Sequence, residues 1–273
     1  MASKYIDDDG AQHRVRCSDI EEKPNRKLTP IHGYADMPLV TLEEAVEPLI
    51  PIVHDVKRMA ACAKWKCADH PADHLTVDQS SAIILYSMEW VPQDKCLYFV
   101  LNETLRDEKR HKLKPWFLFL KLFLTALSFL PPIYRTVYRG IKRDMRSDYR
   151  EGQTVMWWGF SSCTLTMGVL NNDQFLGSTG ARTLFAIECL SGRDIREHAD
   201  FKNEDEILMP AGRQLQVVSC LEQGKDLVII QLKEIKPPFP LIDLVPEITE
   251  TTTKPKSDPI KPASKPTIKY ISV

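Results

Sequence analysis

Asn203-Glu204-Asp205-Glu206-Ile207-Leu208-Met209-Pro210 is the stretch on which the reading of this chain turns. If it enters a β-strand, side chains alternate, and Glu204 and Glu206 fall on one face about 7 Å apart along the backbone. Two carboxylates at that spacing can divide a reaction, one stabilising positive charge and the other handling a proton. A Glu-x-Glu in a charged loop is far more often a solvated surface feature. This one gains weight from what precedes it in order: Val137-Tyr138-Arg139-Gly140, then Gly159-Phe160-Ser161-Ser162-Cys163-Thr164. An arginine ending one apolar strand, a hydroxyl residue on a second and a glutamate on a third can converge on one cleft. No metal is needed for that.

Outward from these motifs, everything after Pro132 reads as short strands. Candidates are Arg135 to Arg139, ended by Gly140, and Thr154 to Trp158, ended by Gly159. Thr183 to Cys189, Glu206 to Met209 and Gln214 to Ser219 follow, and Asp226 to Leu232 pairs back across a turn at Gly224. No helix between them is long enough for a parallel sheet, so an antiparallel arrangement is favoured. Upstream the pattern is helical. Thr41 is a plausible N-cap, with Leu49, Ile52, Val53 and Val56 continuing at helical spacing. Thr76-Val77-Asp78-Gln79 caps a helix whose Ile83, Ile84, Tyr86 and Trp90 face inward. A third helix runs from Leu97 to Arg106. Pro115 starts a fourth and Pro131-Pro132 stops it. The expected fold is α+β, an N-terminal helical layer on a mostly antiparallel, β-sandwich-like core. The expected organisation is a mobile extension over 1–30, a domain over 31–236 (helical to 133, β from 134), and a disordered Pro/Thr/Lys-rich tail over 237–273.

Of 273 residues, 36 are basic and 37 acidic, a net charge of −1. That balance gives no support to a nucleic-acid or anionic-membrane surface. The apolar run Trp116 to Leu130 falls short of the roughly 20 residues a spanning helix needs, and Lys121 interrupts it, so a buried helix is expected. The N-terminal residues lack an apolar secretory core, and seven cysteines are an odd number, which reads as free thiols in the cytoplasm. Cys62, Cys67, His70 and His74 only loosely follow zinc-knuckle spacing, and Pro71 bends the path between the histidines; ordinary helix-end residues are expected there, with no metal. Neither Gly-x-Gly-x-x-Gly nor Gly-x-x-x-x-Gly-Lys-Ser/Thr occurs, so a nucleotide would have to be held by side chains and strand edges.

The three motifs together resemble the arginine–serine–glutamate class of mono-ADP-ribosyltransferases, shared by vertebrate ecto-enzymes and arginine-modifying bacterial toxins. The matching residues are Tyr138-Arg139-Gly140, Phe160-Ser161-Ser162-Cys163-Thr164 and Glu204-Asp205-Glu206-Ile207-Leu208, with Cys163 where the family often has Thr. The likeness runs back through Asn102 and Leu105-Arg106 and spans roughly Thr76 to Glu234. It implies the ADP-ribosyltransferase fold and transfer of ADP-ribose from NAD, with NADP beside it, to an arginine-bearing protein. Arg139, whose planar fork suits a dinucleotide phosphate, is then a cofactor contact together with Gly140 and Ser161. Ser162 would hold Glu206, and Glu206, bonded to the ribose 2′-hydroxyl, would stabilise an oxocarbenium-like cation. An acceptor guanidinium, with a pKa above about 12, is a poor nucleophile; Glu204 would orient it and take its proton. By the same resemblance, His198 to Asn203 presents the acceptor with Phe201 as aromatic contact, and Asn171 to Arg182 folds over the nicotinamide half. An NAD glycohydrolase and a catalytically silent binding module are the alternatives.

Overall fold

The computed structural model describes residues 28–171, 175–202, 205–224, 226–238 and 241–245. Glu204 and residues 1–27 of the extension expected over 1–30 therefore lie outside the described residues.

Among the described residues five α-helices form the first layer: α1 (Leu42–Val46), α2 (Val56–Lys66), α3 (Val77–Ser87), α4 (Leu97–Arg106) and α5 (Phe117–Phe129). Thr41 caps α1 in a reciprocal box with Glu44, and Thr76 caps α3 in one with Gln79. Each box satisfies otherwise orphaned N–H groups, which is why these starts are written locally. The helical spacing read through Leu49, Ile52 and Val53 does not make one helix. Pro48 and Pro51 withhold backbone donors, so a 3-10 turn over Glu47–Leu49 follows α1, and α2 begins only at Val56. Trp90 lies beyond the end of α3, yet it is buried, with its indole N–H donating to the His54 carbonyl at 3.1 Å.

Helix α5 is buried almost all round, and Lys121 escapes by donating to the Ala35 carbonyl at 2.7 Å. Phe123 sits at its centre, 4.9 Å from the Tyr86 ring, 5.5 Å from Phe119 and 5.2 Å from Phe160 at the sheet. Burying each such ring contributes roughly 1.5–3 kcal/mol, so this stack is a principal bond between the layers. Among the described residues no helix is long and apolar enough to cross a membrane.

Nine strands follow among the described residues: β1 (Pro132–Ile133), β2 (Thr136–Ile141), β3 (Thr154–Trp157), β4 (Ser161–Thr164), β5 (Arg182–Glu188), β6 (Gly192–Asp194), β7 (Glu206–Met209), β8 (Arg213–Gln223) and β9 (Leu227–Ile235). Their order is β1-β6-β7-β4-β2-β5-β9-β8-β3. Neighbours are antiparallel except β5 and β9, which pair in parallel. Strand β2 runs through Gly140 rather than ending there, and β8 and β9 are longer than the sequence suggests. One junction is weak: β2 and β4 share only the pair Tyr138–Thr164. The sheet parts there into two halves that close on one core, in which Cys163, Ile207 and Met209 meet Val137, Phe185 and Leu232. Phe160 and Leu208 belong instead to the helical core.

Of the disordered tail expected over 237–273, residues 241–245 are packed rather than free, and residues 239–240 and 246–273 lie outside the described residues. Leu241, Ile242 and Val245 are buried, the last two in the core of the helical layer. The Ile31 N–H donates to the Leu241 carbonyl at 2.8 Å and Arg213 to the Ile242 carbonyl at 3.0 Å. Three apolar side chains in five residues are enough to dock a strap, despite the polar composition around them. Gly212, at φ +67°, gives it room, since a Cβ there would lie 2.9 Å from Ile242 Cγ2.

Candidate active site

The site is built where the sheet parts. Arg139 on β2 is only 2% exposed, and its Nη1 donates to the Ser162 carbonyl on β4 at 2.7 Å. A charge-assisted bond of this kind is short and strong. It spans the junction at which the two strands share a single residue pair, so a side chain takes over where the ladder stops.

On the far side of the junction, β4 and β7 pair Thr164 with Glu206 and Ser162 with Leu208. Directly opposed residues share a face, so Ser162, Thr164 and Glu206 stand together while Cys163 and Ile207 turn into the core. Ser162 and Glu206 are diagonal neighbours, roughly 7–8 Å apart at the backbone and within reach of a glutamate side chain. Both are buried.

Tyr138, Arg139, Gly140, Ser162, Thr164 and Glu206 line one cleft, closed on its other side by Val169, Leu170 and Phe175. Four of the residues singled out from sequence are thus brought to one place: Arg139, Gly140, Ser162 and Glu206. Ser161 is not. It pairs with Met209 on the opposite face of β4 and does not line the cleft, as the two-residue alternation of a strand requires. Gly140 is needed for packing, since a Cβ there would lie 2.7 Å from Leu176 Cβ.

Helix α4 fixes the start of β4. The Asn102 side chain accepts from the Phe160 N–H at 2.9 Å and donates to the Phe160 carbonyl at 3.2 Å, imitating a neighbouring strand. The sequence marked Asn102 only through the family resemblance.

The approach to β7 depends on Asp205, the residue between the two glutamates. It is left-handed at φ 47° and accepts from Thr166 Oγ1 and from Arg196 Nη1, each at 3.2 Å. Arg196 also grips Asp194 in a fork, through Nε at 2.9 Å and Nη2 at 2.5 Å. Those hydrogen bonds to Asp194 hold the Arg196 guanidinium above its ordinary pKa. Burial pushes the Asp194 carboxyl up, but the bonds from Arg196 outweigh it and leave the group below the usual carboxylate range. The Ile195 N–H donates to the Glu206 carbonyl at 3.2 Å. Sequence reasoning passed over Asp205, Thr166 and Arg196; a charged residue between two glutamates was their one visible signal. Phe201, half-buried, follows the Arg196–His198 turn and is not part of the cleft wall. Among the described residues no group of three or more His, Cys, Asp or Glu side chains is placed to hold a metal.

Comparison with known proteins adds three findings. The family profile described as NAD:arginine ADP-ribosyltransferase matches residues 50–238, more than half of the chain. NAD(P)(+)–arginine ADP-ribosyltransferase 1 of Gallus gallus is 28% identical over 202 residues, which is 70% of this chain and 61% of that one. Mav, a Mycobacterium avium (strain 104) protein with an arginine ADP-ribosyltransferase name, is 33% identical over 96 residues, 34% of this chain and 11% of that one. The chain therefore spans less than two thirds of either curated relative. Of solved structures, a mutant of the eukaryotic mono-ADP-ribosyltransferase ART2.2 in complex with NADH shares the fold, with a TM-score of 0.56 at 19% identity. The match covers 80% of this chain and 96% of that one.

Proposed function

The chain belongs to the NAD:arginine ADP-ribosyltransferase family, and from that premise we propose that it transfers ADP-ribose from NAD to a protein arginine and releases nicotinamide. The observation that carries this reading is the meeting of Arg139, Ser162 and Glu206, from three strands, at one cleft.

Arg139, held in place by the Ser162 carbonyl, offers its charge to a dinucleotide phosphate beside Gly140. When the bond from ribose C1′ to the nicotinamide nitrogen breaks, the electron pair leaves with nicotinamide and an oxocarbenium-like cation remains. The Glu206 carboxylate, bonded to the 2′-hydroxyl, stabilises that cation without forming a covalent intermediate. Ser162 keeps Glu206 in position. The acceptor nitrogen then bonds to C1′ and loses its proton to Glu204, with Phe201 packed on the acceptor side chain. The Gallus gallus relative is named for NAD(P)(+), so NADP is a second donor to test. A cytoplasmic setting is supported by cysteine usage: the six cysteines among the described residues are free.

The test is incubation with labelled NAD and agmatine, a free guanidino acceptor. Labelled agmatine is the expected product. Free ADP-ribose alone means a glycohydrolase, and unreacted NAD means a binding module. In the Glu204→Gln protein, transfer is expected to fall by about 10²–10⁴-fold, the usual cost of losing a general base, while NAD hydrolysis stays measurable. A common fall in both reactions would remove the basis for the arginine assignment.

A further inference from the structure

The segment Arg196 to Lys202, which leads to the two glutamates, is held by the helical layer through a buried histidine that the chemistry above does not use. His198 is 1% exposed. Its Nδ1 lies 2.9 Å from Ser80 Oγ in α3, and its Nε2 lies 3.1 Å from Asp73 Oδ2 in the α2–α3 connection. An imidazole partnered at both nitrogens is fixed in ring orientation as well as in position. Ser80 is itself buried inside α3, so the trio is built as a latch.

Two further observations point the same way. Asp73 and His74 take φ values of 56° and 60°, a consecutive left-handed pair that non-glycine residues rarely adopt. Such strain persists where the surroundings dictate it, and here it delivers the Asp73 carboxylate to His198. Two residues on, the Asp200 N–H donates to Ser87 Oγ at 2.7 Å, and the Asp200 carboxylate pairs with Lys66. Every one of these partners belongs to the helical layer.

We propose that His198 is a positioning residue for the acceptor: by latching this segment to α3 it sets Phe201 relative to Glu206, and so governs transfer but not cleavage of NAD. The inference rests on the transferase reading above. It follows from the division between strands and segment, because NAD cleavage needs only groups the sheet already holds.

The test compares wild type with His198→Ala for agmatine transfer and NAD hydrolysis. Displacing a reacting partner by about 1 Å can cost 10²-fold, so kcat/KM for agmatine is expected to fall roughly 10- to 100-fold, mostly as a higher KM. The KM for NAD and the hydrolysis rate are expected to stay within about twofold. His198→Gln, whose amide can still donate to Asp73, is expected to recover part of the loss. Asp73→Ala is expected to lose transfer in the same pattern but less; that side chain is 43% exposed, which keeps the test open if His198→Ala fails to fold. A folded variant with unchanged KM for agmatine, or an equal loss of hydrolysis and transfer, overturns the proposal. Wild-type protein that hydrolyses NAD without ever labelling agmatine instead overturns the transferase reading itself.

Discussion

The cleft and the segment beside it are held by opposite means. Arg139, Ser162 and Glu206 are buried on strands whose backbones are paired, and their positions are set by ladder registers. The segment from Arg196 to Lys202 has no strand of its own. It depends on side chains: His198 with Ser80 and Asp73, Arg196 with Asp194 and Asp205, and Asp200 with Lys66 and Ser87. The difference teaches where each demand of the reaction is met. In the proposed reaction, the groups that must meet a developing charge within a fraction of an ångström stand on the rigid part. The part proposed to meet the acceptor hangs on individual bonds, each of which can be altered without disturbing the sheet.

The largest effect should come from the strand side. Glu206→Gln keeps the shape of a buried side chain and removes its charge. Transfer and NAD hydrolysis should then both fall by at least about 10³-fold, since both pass through the same cation. Thermal melting should confirm a folded protein. Substantial NAD turnover by that protein would place the essential carboxylate elsewhere and erase the contrast.

Arg139→Lys sharpens the strand side further. Lysine keeps the charge and loses the planar fork, so NAD affinity by calorimetry should drop about tenfold. Melting should show a loss of roughly 1.5–3 kcal/mol, because the bond to the Ser162 carbonyl bridges the weak junction between β2 and β4. Unchanged NAD binding would refute the phosphate role. An unchanged melting temperature would refute the bridging role.

The smallest effect belongs to the segment. Asp205→Asn preserves size but removes the charge that Arg196 grips, and both partners are more than a third exposed. Such a pair is worth up to about 1 kcal/mol, so transfer to agmatine should fall two- to fivefold with hydrolysis unaffected. If hydrolysis fell in step with transfer, Asp205 would be supporting Glu206 rather than the acceptor side.

Much of the fold was legible because its signals are local. The Thr76–Gln79 box announces α3, and the interval from Leu97 to Arg106 is a helix with the bounds read from sequence. Where local signals compete, the reading slipped. The apolar spacing after Thr41 suggested a continuous helix, but Pro48 and Pro51 interrupt it. In the tail, Pro, Thr and Lys outweighed Leu241, Ile242 and Val245, whose partners, such as Ile31 for the Leu241 carbonyl and the helical core for Ile242 and Val245, lie in distant parts of the chain. In the candidate site, Arg139, Ser162 and Glu206 stood out because an ordered set of motifs can be seen in one dimension. Ser161 could not be told from Ser162, since the face each serine takes is decided by the register of β4 on β7.

The sequence by itself determined most element types, the helix caps and the order of the three motifs that carry the family resemblance, because hydrogen bonds between near neighbours, side-chain periodicity and motif order can be read within the chain itself. Only the tertiary structure decided that β2 and β4 meet in a single pair bridged by Arg139, that Gly140 must yield to Leu176, and that His198 reaches Ser80, 118 positions earlier in the chain. These contacts depend on which surfaces pack together, and packing is settled by the whole core at once rather than by any stretch within it.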